Sequence, residues 1–508
     1  MAKNIVKATG LLLLINLCVK ILGFIREMVI ANGFGVSAFT DAYFTAYTIP
    51  YILQSVLGYA FVSAVLPLLT KYWQQDNGVV EASRLGSTLI NIMAGGMVFL
   101  CVLGVAGAPL LVWLTAPSLE PGTAALAAEL TRIIFPSVLF MSTGMVISGI
   151  LNSCYRFSAA ALAPGLASLS IVVAGLFANG NIHVVAWGTL IGFVLFFLLA
   201  AADLSRTQFK YSFNWDLRHP EIRRVIWDIL PIVLGLAVNQ IYTLVNRIFA
   251  SGLTEGSISA LNYANKLLNM PLGVFVSAIV VVAFPMLAEK ATLADKEPLH
   301  QSIRSGLSMV LLVALPSALG LMLLDKPIIQ LLFQSGEFDA AATMVTSKAL
   351  FTMGPGLIFL GISMILIRVF YALGDVKTPL LLGAISIAVN VLASLIFAKM
   401  MGAAGLGLAN TLAAAANALL MWVVLGKRLR FGREAAFRRD MFVIAVSSLV
   451  MCVPILFLER IIPLEQGKGL MVLFILAIIG IGVIVYYLSL RLLKAQALRE
   501  ILSGIRRK

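Results

Sequence analysis

Lys20, Arg26 and Lys266 each interrupt a stretch of sequence that is otherwise almost wholly apolar. A charge held inside a bilayer costs about 2.5–3.5 kcal/mol on insertion scales, so such residues are the first candidates for function. Basic groups facing a cavity suit an anion such as a phosphate or pyrophosphate, held by charge-assisted hydrogen bonds. Six residues separate Lys20 from Arg26, which sets them about 240° apart on a helix unless a kink at Gly23 brings them together. Snorkelling to an interface is the plain alternative, and it suits Arg247, which lies near the end of its apolar stretch. Asn262, Lys266 and Asn269 fall at i, i+4 and i+7, and Asn265 sits beside them. One helix face therefore carries a polar stripe, which lines a cavity or bonds a neighbouring helix.

A second set of polar residues, Asp41, Asn239, Arg247, Asp375 and Asn390, falls in or beside the apolar stretches. These are candidates for coupling or gating. Asp375 and Asn390, with oxygens such as that of Asn239, are candidates for a monovalent cation site (Na+ or H+ coupling), which needs several converging oxygens. The four cysteines and three histidines form no metal-ligand spacing, so neither a resident metal nor another cofactor is expected. No nucleophile–base pair, phosphate-binding loop or carboxylate dyad is present, so an enzyme or NTP-driven pump is not expected.

These residues need a membrane to position them. Of 508 residues, 60% are hydrophobic and 12% charged, far from the roughly 25% charged residues of a soluble domain. A water-soluble enzyme and a nucleic-acid binder are excluded at this step. A window of about 19 residues marks fourteen spans, at 8–32, 38–70, 84–115, 122–153, 158–178, 183–204, 223–252, 256–289, 304–334, 340–373, 377–399, 403–426, 440–463 and 467–493. The net charge of +14 gathers in alternate connections, including Lys71 and Arg84, Arg156, Lys290 and Arg304, and the run from Lys427 to Arg439. Such loops face the cytoplasm, which places both termini there.

An internal repeat organises the spans. Phe135-Pro136 matches Gly354-Pro355 at an offset of 219, and Tyr155-Arg156 falls on Gly374-Asp375 at the same offset. Ser37, Pro50 and Pro67 parallel Ser257, Pro271 and Pro285 within a few residues. Six helices lie between equivalents, so the two halves share an orientation, as in transporters built of parallel repeats that rock about a site between them. The expected fold is all-α and polytopic: two six-helix lobes, 1–210 and 220–430, and two further helices in 440–508.

Leu22-Gly23-Phe24-Ile25-Arg26-Glu27, then Phe34-Gly35 and Thr40-Asp41-Ala42-Tyr43-Phe44, resembles the N-terminal signature of the MurJ/MviN lipid II flippases. So do Arg156-Phe157-Ser158, Tyr263-Ala264-Asn265-Lys266-Leu267 and the run Phe370-Tyr371-Ala372-Leu373-Gly374-Asp375-Val376-Lys377-Thr378-Pro379. The similarity runs in order from about residue 10 to 430. It implies a member of the multidrug/oligosaccharidyl-lipid/polysaccharide exporter superfamily. Such a protein moves lipid-linked peptidoglycan precursor to the outer leaflet of the bacterial plasma membrane by alternating access. The resemblance gives Arg26 directly to a cationic pyrophosphate cavity, with Lys20 and Lys266 where arginine is usual and Asn265 where aspartate is frequent. Lysine keeps the charge and loses the bidentate fork.

Gln54-Ser55 stands where many members carry an arginine pair. This leaves open a substrate other than lipid II, such as another polyprenyl-pyrophosphate-linked glycan; the superfamily itself leaves open a cation-coupled multidrug exporter. The expected partners are the lipid-linked substrate and cell-wall synthesis enzymes, with no nucleic acid, and the expected state is a monomer.

Overall fold

The computed structural model describes residues 2–73, 75, 78–429, 435–460 and 467–499, and for 2–13, 159, 238–239 and 435–436 the backbone alone. Arg430, Arg433 and the terminal Arg506, Arg507 and Lys508 lie outside that set. Every regular element among the described residues is a helix. This follows from the medium, since a lone segment in hydrocarbon satisfies its own N–H and C=O groups only as a helix.

The chain divides into two compact units. The first, Met1–Ser259 with Ser335–Phe338, holds α1 (Ala2–Phe34), α2 (Ala38–Leu53), α3 (Tyr59–Trp73), α4 (Gly78–Ala106) and α5 (Ala108–Thr115). It continues with α6 (Pro121–Ile134), α7 (Ser137–Ser153), α8 (Ser158–Leu176), α9 (Ile182–Leu204) and α10 (Pro220–Ser251). Its core packs Leu69, Leu85, Leu89, Ile150 and Phe196 together with Ile222 and Val225 of α10. So α10, which the repeat groups with the second lobe, shares a core with helices of the first.

The second unit, Ala260–Gln334 with Asp339–Lys508, contains most of α11 (Ser257–Pro271), then α12 (Ser277–Ala291), α13 (Glu297–Leu323), α14 (Asp325–Phe333) and α15 (Ala340–Met353). It ends with α16 (Gly356–Ala372), α17 (Lys377–Met401), α18 (Ala403–Leu429), α19 (Ala435–Glu459) and α20 (Lys468–Leu492). The two last helices attach to α13. Ile444, Met451, Ile475 and Ile478 pack with Leu311, and the Tyr486 hydroxyl donates to the Leu312 carbonyl at 2.8 Å.

The breaks in the helices reproduce the repeat. A π-type turn joins α2 to α3 at Gln54–Gly58, and another joins α11 to α12 at Leu272–Val276, 218 residues later. Each follows a proline, Pro50 or Pro271, whose missing N–H loosens the ladder. Pro136 separates α6 from α7, and Pro355 separates α15 from α16 with a bend of 43°. Eleven helices or joined helices among the described residues are long and apolar enough to cross a bilayer, or twelve if that bent pair is one span. The expected fourteen also counts α1 and the shorter α8, which are helical but lie outside that set.

Candidate functional site

In the first unit, α1 runs unbroken through Gly23, so Lys20 and Arg26 stay on different faces. Lys20 is exposed. Arg26 donates from Nη2 to Glu27 Oε1 at 2.6 Å, with 1% of the acid exposed and 17% of the cation. A buried carboxylate needs such a partner, because an unpaired one costs several kcal/mol. Nε of Arg26 is enclosed and donates to none of the described residues. Tyr43, Tyr47 and Tyr51 of α2 lie within electrostatic reach of this guanidinium. The pair is therefore locally neutral, yet keeps a directional donor near three tyrosines.

Asp41 sits in the first turn of α2. Its carboxylate accepts from the backbone N–H groups of Gly256 and Ser259 and from the Ser259 hydroxyl, each at 2.8 Å. Those N–H groups belong to the start of α11, whose orphan donors it caps from outside the helix. The reverse bond also exists, since Glu255 Oε1 accepts from the Ala38 N–H at the start of α2 at 2.7 Å. Two equivalent helix starts of the repeat thus cap each other. Asp41 is also the acid within electrostatic reach of Arg247. Of the coupling or gating candidates, the structure brings these two together; the side chain of Asn239 lies outside the described residues.

In the second unit, Asn269 donates from Nδ2 to the carbonyl and to the side-chain oxygen of Asn265, at 2.8 and 2.9 Å. Both amides are exposed, with Asn262 and Lys266 half-buried beside them. The polar stripe of α11 is therefore an accessible helix face. Arg368, another cation within a span, lies over the rings of Phe284 and Tyr371 with centroids at 5.4 and 5.9 Å. Ring faces of this kind hold a guanidinium without a carboxylate.

Asp375 and Asn390 do not meet. Fifteen residues of chain separate them, about 20 Å of helix. Asp375 lies in the connection before α17 and accepts from the Thr378 N–H at 2.9 Å, from its hydroxyl at 2.6 Å and from Arg428. Those bonds hold its carboxyl at about 2, below the usual 3.8. Asn390 is fully buried in α17, where Nδ2 donates to Asn410 Oδ1 at 2.9 Å. Its own Oδ1 and the nearby Ser394 hydroxyl find no partner among the described residues. No group of three or more His, Cys, Asp or Glu that could hold a metal occurs among them.

Sequence reasoning passed over the tyrosines of α2, although the four-residue spacing of Tyr43, Tyr47 and Tyr51 was a readable signal. It also passed over Glu255 and Arg428 as partners, and Asp203, which accepts from Arg156, for all of which spacing offers no signal.

A family model described as Lipid II flippase MurJ matches residues 30–477. The chain is similar to the lipid II flippase MurJ of Burkholderia cenocepacia, 32% identical over 443 residues that cover 85% of this chain and 86% of that protein. The probable lipid II flippase MurJ of Thermotoga maritima is 28% identical over 483 residues, 95% of each chain. A solved structure of lipid II flippase MurJ in an inward closed conformation matches with a TM-score of 0.80 at 27% identity, over 94% of this chain and 97% of that one. An inward-facing multidrug resistance MATE transporter matches with a TM-score of 0.67 at 17% identity over 81% of this chain, a likeness of fold alone. With a matched segment that takes in nearly every helix of both units, the chain belongs to the lipid II flippase MurJ family.

Proposed function

We propose that this protein carries lipid II from the cytoplasmic to the outer leaflet of the bacterial plasma membrane. The observation that carries the reading is the family match across residues 30–477. Arg26 supplies the chemistry: a guanidinium with an unpartnered Nε, placed within a span, where an anionic diphosphate gains most from charge-assisted bonds. Lys20 and the Asn262, Asn265, Lys266 and Asn269 face complete the set of groups for the headgroup, and the two lobes alternate access by rocking. A multidrug exporter of organic cations would want a free carboxylate here, and Glu27 is already engaged by Arg26.

The basic alternate loops favour both termini on the cytoplasmic side. Coupling to a monovalent cation would use neutral oxygens at Asn390, Asn410 and Ser394, and the unpartnered Asn390 Oδ1 fits a weakly held ion. Asp41, with Arg247 in its electrostatic reach at the capped helix starts, and Asp375 at the turn before α17 are placed to act in gating.

Depletion in cells that have no second flippase should stop lipid II from reaching the outer leaflet, as read by extracellular labelling of its headgroup. Arg26→Gln, present at normal levels in the membrane, should fail to restore it. Normal outer-leaflet lipid II after depletion would overturn the reading. Rescue of a flippase-deficient strain by the wild-type gene separates lipid II from another lipid-linked glycan.

A further inference from the structure

Tyr43, Tyr47 and Tyr51 form a ladder along one face of α2. The ring centroids are 6.4 Å apart at an interplanar angle of 9° for the first step, and 5.9 Å at 33° for the second. At its closed end Tyr43 is buried, and its hydroxyl is bonded to the Thr189 hydroxyl at 2.9 Å. The ladder opens from there. Tyr47 is half-buried and Tyr51 is 44% exposed.

One turn further, at the start of the π-type turn, Gln54 donates Nε2 to the Met145 sulfur at 3.9 Å. Its Oε1 is enclosed and accepts nothing among the described residues. Arg26 lies within electrostatic reach of all three rings.

A stack that served only packing would not need these polar atoms. Phenylalanine fills the same volume, and an enclosed amide oxygen left unpaired costs about 1–3 kcal/mol. Buried polar atoms have partners as a rule, so unpartnered ones mark a place where water or a ligand supplies them. The ligand that fits has a C–H face for an open ring, hydroxyl or amide donors for Gln54, and acceptors for the phenols. A pyranose, above all an N-acetylated one, has all three. Aromatic rings that are apolar in body and polar at the tip are suited to such a surface. The step of the ladder, near 6 Å, is close to the length of one sugar in a linear glycan.

We infer that Tyr47, Tyr51 and Gln54 form a saccharide subsite that holds the sugar next to the diphosphate while Arg26 holds the diphosphate itself. The inference rests on the flippase reading and names where that substrate is told apart from a bare polyprenyl diphosphate.

The test compares two probes on the purified full-length protein in nanodiscs, undecaprenyl diphosphate and lipid II, by equilibrium binding. Tyr51→Leu should weaken lipid II about tenfold, the loss of one good aromatic contact with its bonds, and leave undecaprenyl diphosphate within about twofold. Gln54→Ala should act in the same direction by about three- to tenfold. Tyr51→Phe keeps the ring and loses the hydroxyl, so it should fall between wild type and Tyr51→Leu, and it carries the test if Tyr51→Leu does not fold. Equal weakening of both probes, or of neither, overturns the subsite. Wild-type protein that binds neither probe overturns the flippase reading instead.

Discussion

The connection before α8 and the connection before α17 are the same turn built with opposite charges. In the first, the Arg156 N–H donates to the Leu151 carbonyl at 2.9 Å and the Tyr155 N–H to Asn152 at 3.0 Å. In the second, Asp375 donates to Phe370 at 2.9 Å and Gly374 to Tyr371 at 3.0 Å. Each turn then ties its last residue to the penultimate residue of the second helix onward: Arg156 to Asp203 of α9, and Asp375 to Arg428 of α18. The repeat has kept the backbone and the bond while exchanging the signs. What duplication preserves here is a position that must be paired, not the charge that does the pairing.

The exchange is not neutral in energy. Asp375 lies beside the N-terminus of α17 and Arg428 in the last turn of α18, and both agree with the helix dipoles. Arg156 and Asp203 occupy the corresponding ends, before the N-terminus of α8 and in the last turn of α9, with the signs reversed, and so run against the dipoles. Burial sharpens the difference. The Asp203 side chain is 11% exposed and its Oδ2 has no partner among the described residues, whereas Asp375 keeps two bonds from Thr378 whatever Arg428 does.

Removing the arginine should therefore separate the two turns most. Arg156→Ala leaves an acid buried without its counter-charge and should cost about 2–3 kcal/mol, below the 3–5 of a fully buried pair because Arg156 is 39% exposed. Arg428→Ala removes an exposed partner and should cost under about 1 kcal/mol. Unfolding midpoints of the two variants in detergent check the order. Equal losses would mean that burial of the acid does not set the cost.

The acid of the second turn gives the next effect. Asp375→Asn loses the charged cap and should cost about 1–2 kcal/mol at neutral pH. The folded carboxyl titrates at about 2, and the ordinary value is 3.8. Because the folded value is the lower one, the contribution is complete above 3.8 and fades as the pH falls toward 2. The gap in midpoint between wild type and Asp375→Asn should be flat from neutral pH to about 5 and close below 3.8. A gap that persists at the acid end would assign the loss to packing.

The same contrast shows what could be read in advance. Prolines mark some of the helix breaks: Pro136 and Pro355 stand at equivalent breaks of the repeat, whereas Pro164 and Pro316 lie within unbroken helices. The polar stripe of α11 was legible for a similar local reason, as i, i+3 and i+4 share a face. Asp41 was legible only as an unexpected charge. Its partners are backbone N–H groups more than 200 residues away, and a backbone group has no letter of its own. Arg26 and Glu27 are neighbours that do not face each other by helical geometry, so their pairing came from burial rather than spacing. Asp203 and Arg428 read as ordinary charges at helix ends until the turns they hold were in view.

The smallest effect concerns the residue that makes the turn. Its backbone is left-handed in both halves, with φ at +60° for Tyr155 and +75° for Gly374. Glycine adopts this region freely, and a side chain there costs about 1 kcal/mol. Tyr155 is 74% exposed, so replacing it forfeits little packing. Tyr155→Gly should then gain about 0.5 kcal/mol, the relief of strain less the greater freedom of glycine in the unfolded chain. Gly374→Ala should lose about 1 kcal/mol for the same reason reversed. If Tyr155→Gly instead destabilised the protein, the tyrosine would have a binding partner on the surface of that turn, and the two turns would differ in contact as well as in charge.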